Sequence, residues 1–403
     1  MAQQSSENNG INQPRPYCVN IFPADSTGCN FYRNLCPQLT VQHMVGNILF
    51  NNCAKFMVDD NFFTGTNVNI LQRQVNDSQA NYYLNYVVPL SHKTGSWIVY
   101  NIDDCIHKDD IPKYNTAWES YQNPSFYGNI KSMLNASDFV LVTTEELRDY
   151  YETKFGVPHD NFIVIPNYIP QWWMGHCYNF DKSMKQYDIN VVKKHKPRIG
   201  IIGSPSHYDI NDIHEKNDIT DVVSYIEKTV DKFQWVIFGS IIPELKSLAK
   251  EGKVEFHRGI DVMHYPDVIS SLNLQFIVAP LLDNIFNRCK SNIKLTESWA
   301  LGICCAAQNL PAYSKYTEDV FGNNDELDAL IEHTLKDADS FSSKIRNNYE
   351  KMKDWWLETH LTDWIRLYKV RQKPLMFNFN LDTSETKKPM ETEIVPPSII
   401  KNN

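Results

Sequence analysis

Residues 286–307, FNRCKSNIKLTESWALGICCAA, constrain the fold of this chain more than any other run. The second half predicts a helix, a glycine stop and a short apolar strand. Ile293, Thr296 and Ala300 recur at helical spacing. Gly302 stands where a helix end favours a residue free to turn left-handed. Residues 303–307 are uninterruptedly small and apolar, as in a strand buried on both faces of a parallel sheet. The first half is polar and cationic. Arg288, Lys290 and Ser291 precede the first helical turn, whose free N–H groups and partial positive charge suit an anion. Glu297 lies two turns beyond Lys290, on about the same face.

At 403 residues the chain exceeds one ordinary core and suits two domains. The expected division is a polar tail at 1–16, a first domain at 17–172, a linker at 173–198, a second domain at 199–354, a helix at 355–372 returning to the first domain, and a tail from 373. No apolar run reaches the roughly 18 residues of a membrane span. The first sixteen residues lack the apolar core of a signal peptide. Nine cysteines without a Cys-x-x-Cys pair argue for neither a disulfide framework nor a structural zinc site. The cytoplasm is the expected compartment. A net charge of −9 counts against avid nucleic-acid binding, although local basic patches stand at 193–198 and 369–373.

Along the first domain, strands are expected at 17–22, 55–58, 68–71, 97–100, 138–142 and 162–165. Helices are expected from Phe31, interrupted by Pro37, and over 143–155 with a Thr143–Glu146 capping box. The second domain predicts strands at 199–203, 235–238, 254–257 and 274–279, with helices at 219–230, 263–271, 326–335 and 341–353. A last amphipathic helix covers 355–371. Alternation without hairpin signals means doubly wound parallel sheets.

Several residues sit where such sheets meet ligands. The first strand runs through Gly28 and Cys29 into a helix, and the seventh expected strand ends in Gly203, Ser204 and His207. Arg73 ends another strand and suits either a phosphate or plain solvation. Asp103 and Asp104 at a strand end allow three readings: a divalent-metal pair, an acceptor-side base, or strand-end capping. Trp172 and Trp173 suit either packing at the hinge or stacking on a sugar or base.

The 286–307 run resembles the donor site of GT-B glycosyltransferases, in particular the retaining glycogen-synthase-like family. There an acid, seven residues and a second acid precede Ala-x-Gly; Glu297 matches the second acid and Ala300-Leu301-Gly302 the tail, whereas Cys289 replaces the first. A branch common in bacteriophage and bacteria carries Asn-x-x-Lys-Ser-x-Ile-Lys-x-x-Glu, intact here from Asn287 to Glu297. Its Gly-x-x-x-Tyr-Arg segment fits Gly28 to Arg33. Its Ile-Asp-Asp run fits Ile102 to Asp104, and its Ile-Pro-Asn strand end fits Ile165 to Asn167. Its Gly-Ser-Pro-x-His-x-x-Asp segment fits Gly203 to His207, with Asp209 one residue early.

The resemblance implies two facing Rossmann-like domains with a last helix crossing back, and sugar transfer from a nucleotide-sugar, most simply a UDP-sugar. Gly28, Cys29, Gly203, Ser204, His207, Arg288, Lys290, Ser291, Lys294 and Glu297 would bind the donor. Tyr32, Arg33, Arg73 and Asp103 would meet the acceptor. Lys290 would stabilise the leaving diphosphate, Glu297 would accept from the ribose, and no metal would be required. The resemblance implies retention, with the leaving phosphate taking the acceptor's proton; were the reaction inverting, Asp103 or Asp104 would be the base. The phage-like motifs point to 5-hydroxymethylcytosine in DNA as acceptor. A saccharide acceptor, and a non-catalytic nucleotide-binding module, are the other readings.

Overall fold

Parallel pairing joins every strand to its neighbours in two sheets of six. In this computed structural model, residues 15–53, 60–193, 195–208 and 215–373 are described. The expected strand at 55–58, Lys194 of the basic linker, Asp209 and most of both tails lie outside them.

The first sheet holds β1 (Tyr17–Phe22), β2 (Ile48–Asn52), β3 (Val68–Gln72), β4 (Trp97–Asn101), β5 (Phe139–Val142) and β6 (Phe162–Val164). Their spatial order is β2-β1-β3-β4-β5-β6. The second holds β7 (Arg198–Gly203), β8 (Gln234–Gly239), β9 (Val254–Arg258), β10 (Phe276–Ala279), β11 (Cys304–Gln308) and β12 (Val320–Phe321), in the order β12-β11-β10-β7-β8-β9. Each sheet therefore reverses its winding beside its own first strand, at β1/β3 and at β10/β7. Such reversals open a crevice at the carboxyl ends of the strands.

The organising run folds as expected. Residues Ile293–Ala300 are helical, Gly302 takes a φ of 70°, and β11 is buried apart from its last residue. β2 escaped the sequence reading because it is an edge strand: Leu49 is exposed and two asparagines follow it. The proline expected to interrupt the first helix does not. Cys36 N–H reaches back five residues to Phe31, one more than in an α-helix, and Pro37 then opens the Cys36–Met44 helix. Val88 N–H does the same to Tyr83 just before Pro89. A proline has no N–H to give the i−4 carbonyl, so widening the preceding turn lets the chain continue. The expected capping box is also displaced by one residue. Thr144 caps the Glu145–Phe155 helix by accepting from Leu147 N–H at 3.1 Å, while the Thr143 hydroxyl is buried without a partner.

The last segment crosses back, as a tight turn over Leu357–His360 and a shorter helix over Leu361–Tyr368 rather than one helix from 355 to 371. It packs on the Cys36–Met44 helix and β1. Ile169 N–H donates to Trp355 O at 3.0 Å, and Leu357 N–H donates back to Ile169 O at 2.9 Å. Trp364 is buried, 5.5 Å from the guanidinium of Arg33, and Tyr368 meets Phe50 edge-on. Trp364→Ala should cost about 3–5 kcal/mol, the usual penalty for emptying a large buried aromatic site. A urea midpoint unchanged by the substitution would show that the crossing helix does not hold the first domain.

Candidate functional site

A cleft of about 690 Å³ separates the carboxyl ends of the two sheets. Its second-domain wall is the run that begins at Phe286. Asn284 caps the short Ile285–Arg288 helix by accepting from Asn287 N–H, and Asn287 anchors it by donating to Asp218 at 2.6 Å and Leu282 O at 2.9 Å. The first domain grips the loop that follows. Thr144 donates to Cys289 O at 3.0 Å, and Asn167 donates to the Ser291 hydroxyl at 3.1 Å. Lys290 is thereby aimed into the cleft, its ammonium 4.4 Å from the centre of the Phe286 ring and 3.8 Å from Asp104.

Glu297, on the helix after this loop, is buried and heavily engaged. Tyr32 of the first domain donates to Oε1 at 2.5 Å, while Tyr265 and Lys294 donate to Oε2 at 3.0 and 3.2 Å. Burial, reinforced by the carboxylate, pushes both phenols well above their ordinary pKa, so they remain donors. An ionised carboxylate offers about four lone-pair sites, so a ligand hydroxyl can still join or replace one of these partners.

Opposite stands an acidic cluster wrapped around Arg73. The guanidinium lies 3.1 Å from Asp25, 3.6 Å from Asp103 and 3.1 Å from Asp104. Arg73 takes a φ of 41°, a conformation an L-residue holds only when its surroundings impose it. Burial raises the Asp104 carboxyl against the opposing pull of Lys290. Burial and Asp103 raise the Cys29 thiol well above its ordinary value, so it stays protonated. Donor atoms of Cys29, Asp103 and Asp104 lie within 4.8 Å of one another, a set chemically able to hold a cation. Arg73 and Lys290 already counter these two carboxylates.

The turn after β7 brings a pair the sequence did not show. His207 Nδ1 lies 2.7 Å from Asp218 Oδ2, and Asp218 Oδ1 also accepts from Tyr114, Asn287 and Leu282 N–H. Burial opposes the Asp218 charge, but His207 and these donors prevail and hold its pKa below the ordinary value. The resembling segment ends in an acid that Asp209 meets only one residue early; the acid that partners His207 lies eleven residues along. The end of β8 beside this turn needs glycine. Gly239 has a φ of 114°, and a Cβ there would stand 2.0 Å from Gly203 O.

Of the residues singled out in the sequence, Gly28, Cys29, Tyr32, Arg73, Asp103, Asp104, Gly203, Ser204, His207, Lys290, Ser291, Lys294 and Glu297 line the cleft. Two do not. Arg33 is buried in the first domain, donating to Asn101, Ile165 O and Asn167, and burial lowers its pKa to about 10. Arg288 points to solvent and pairs with Asp283 through two bonds of 2.6 and 2.9 Å. Of the two tryptophans, Trp173 is buried and lines the cleft, stacking near Tyr265, whereas Trp172 is exposed and donates to Thr40.

No family model matches the chain, and no curated protein matches it by sequence. Solved structures do match it. A glycosyltransferase from Rickettsia africae ESF-5 superposes with a TM-score of 0.54 at 11% identity, covering 88% of this chain and 98% of its own. WaaG, a glycosyltransferase involved in lipopolysaccharide biosynthesis, gives 0.53 at 12% identity, over 88% of this chain and 100% of its own. A trehalose-6-phosphate synthase from E. coli bound with UDP-2-fluoro glucose gives 0.53 at 9% identity, again over 88% and 100%. The fold is GT-B. In this GT-B chain the cleft lies between the two sheets, and its two walls meet through Tyr32–Glu297, Thr144–Cys289 and Tyr114–Asp218.

The depressed pKa of Asp218 makes its contribution to stability depend on pH. That contribution is complete above the ordinary carboxylate value of about 3.9 and fades as pH falls through the lower folded value. Asp218→Asn should therefore destabilise the chain at pH 7 and differ progressively less from the parent below about pH 4. Urea melts across that range test this; a pH-independent difference would contradict the charged pairing with His207.

Proposed function

We propose that this chain transfers a sugar from a nucleotide-sugar, most simply a UDP-sugar, to a hydroxyl acceptor. One observation carries the reading: the Lys290–Ser291 loop and the start of its helix face the Asp103–Asp104–Arg73 wall across the cleft between the domains. The neighbours with this fold include two glycosyltransferases and an enzyme bound with a UDP-sugar analogue, which supports the same donor class.

In this reading the diphosphate rests against Lys290, Ser291 and the amides opening the Ile293–Ala300 helix, where developing charge is stabilised as the bond from the sugar's anomeric carbon to phosphate oxygen breaks. Glu297 accepts from ribose hydroxyls, sharing or replacing the bond from Tyr32. The acceptor oxygen bonds to the anomeric carbon with retention of configuration, and its proton passes to the leaving phosphate oxygen. Asp103 and Arg73 orient the acceptor. Lys290 and the helix amides provide for the diphosphate without a metal ion.

For the acceptor we favour 5-hydroxymethylcytosine in DNA, on the phage-like motifs. A second reading, a saccharide hydroxyl, draws on how the basic patches that would serve DNA are engaged. Lys196 donates to Val230 O, Arg198 pairs with Glu255, and Lys373 pairs with Asp138, so those side chains are spent inside the protein. Lys290→Ala and Glu297→Ala should each lower transfer by about 10²-fold or more, the scale for losing one stabiliser of transition-state charge, with unchanged circular dichroism. Full activity in either would remove the donor-site reading. Mass spectrometry of nucleosides from hydroxymethylated DNA incubated with a panel of UDP-sugars tests the acceptor, with oligosaccharides in a parallel arm. Donor binding with neither transfer nor slow diphosphate release would leave a binding module. Activity that disappears with EDTA and returns with Mg²⁺ or Mn²⁺ but not with Zn²⁺ would return the metal reading of Asp103 and Asp104.

A further inference from the structure

Outside the cleft, the segment joining the two domains carries another set of donor atoms. His176 and Cys177 lie in the tight turn Gly175–Cys177, and Asp267 lies on the Tyr265–Ser271 helix of the second domain. Cys177 Sγ is 3.3 Å from His176 Nε2 and 3.5 Å from Asp267 Oδ1, and His176 Nε2 is 3.4 Å from the same oxygen. The thiol proton and a ring proton on His176 Nε2 can satisfy two edges of this triangle, yet the third is as short as they are. A tetrahedral zinc ion has bonds of about 2.3 Å to sulfur, 2.0–2.1 Å to imidazole and 2.0–2.2 Å to carboxylate. Such bonds place the three donors about 3.3–3.6 Å apart. The triangle has the size of one face of that tetrahedron.

We propose that His176, Cys177 and Asp267 bind a zinc ion, with water as the fourth ligand. The His176 and Asp267 side chains are 55% and 68% exposed, so an ion and its water can reach the site, while Cys177 backs it from the buried side. Binding releases the thiol proton to solvent and leaves the remaining ring proton of His176 on Nδ1; no electron changes hands. Asp267 follows Cys177 by 90 residues, which is why cysteine spacing gave no sign of the site. The ion ties the interdomain segment to the helix whose first residue, Tyr265, donates to Glu297. Occupancy would stiffen the junction between the interdomain segment and that helix.

Titration of the chelator-treated full chain with Co²⁺, followed by Zn²⁺ displacement, tests this. The expected result is one equivalent bound, with a sulfur-to-cobalt charge-transfer band and the visible bands of a tetrahedral ion. Cys177→Ser should abolish the charge-transfer band. Asp267→Asn should weaken binding at least 10-fold, the lower end of what loss of even an outer partner costs. Asp267 is solvent-facing, so that variant keeps the test alive should Cys177→Ser fail to fold. Cys29→Ser should leave the band in place. No tetrahedral cobalt in the parent, a band that survives Cys177→Ser, or a band lost in Cys29→Ser would each overturn the assignment, the last by moving the metal to the cleft.

Discussion

The facing of the two cleft walls centres on one buried carboxylate. Glu297 projects from the second domain and receives Tyr32 from the first, with Tyr265 and Lys294 on its other oxygen. A buried charge is tolerable only when its lone pairs are taken up by donors, and removal of those donors would leave a large desolvation penalty. Here the donors come from both domains, so satisfying the charge and facing the two sheets toward each other are the same event. The Thr144–Cys289 and Asn167–Ser291 bonds then set the loop before that helix relative to the first domain.

Much of this was legible in the sequence because the decisive features are local. The helix, Gly302 stop and β11 strand follow from periodicity, and alternation of elements gives parallel sheets. What escaped was non-local or compensated. Asp218 reaches His207 from eleven residues along, and no spacing rule links them. Arg33 fell within a motif shared with Tyr32, but successive residues on this turn point apart: Tyr32 reaches the cleft and Arg33 the core. Arg288 was grouped with Lys290 by charge, and the short Ile285–Arg288 helix turns it back onto Asp283. Pro37 looked like a break because the widened turn that accommodates it leaves no mark on composition.

Lys290 and Arg73 show how the same charge serves different ends. Arg73 meets three carboxylates, its backbone held in a left-handed conformation to do so. Its charge is committed to shaping the first-domain wall: burial alone would lower its pKa, but Asp103 and its other neighbours prevail and push it above the ordinary value. Lys290 has a single acidic neighbour at 3.8 Å and an aromatic face beneath it. At that separation the attraction is modest and easily exchanged for a closer anion. The cation that can change partners stands on the side where the helix amides already favour negative charge.

That asymmetry argues for the direction in which a reaction would run across the cleft. An incoming diphosphate would find Lys290 and the helix start on the second-domain side, and only pre-neutralised or repelling groups on the other. Asp103 and Asp104 would be poor company for phosphate but good acceptors for neutral hydroxyl groups. On the proposed function, a donor phosphate and a hydroxyl acceptor would be sorted to opposite walls by charge alone, before any specific contact is made. The acidic wall would oppose entry of a polyanion unless the acceptor hydroxyl is presented on a single extruded base, with the strand's phosphates kept outside. A neutral saccharide meets no such barrier, so the depth to which an acceptor's own charges must penetrate separates the two readings physically.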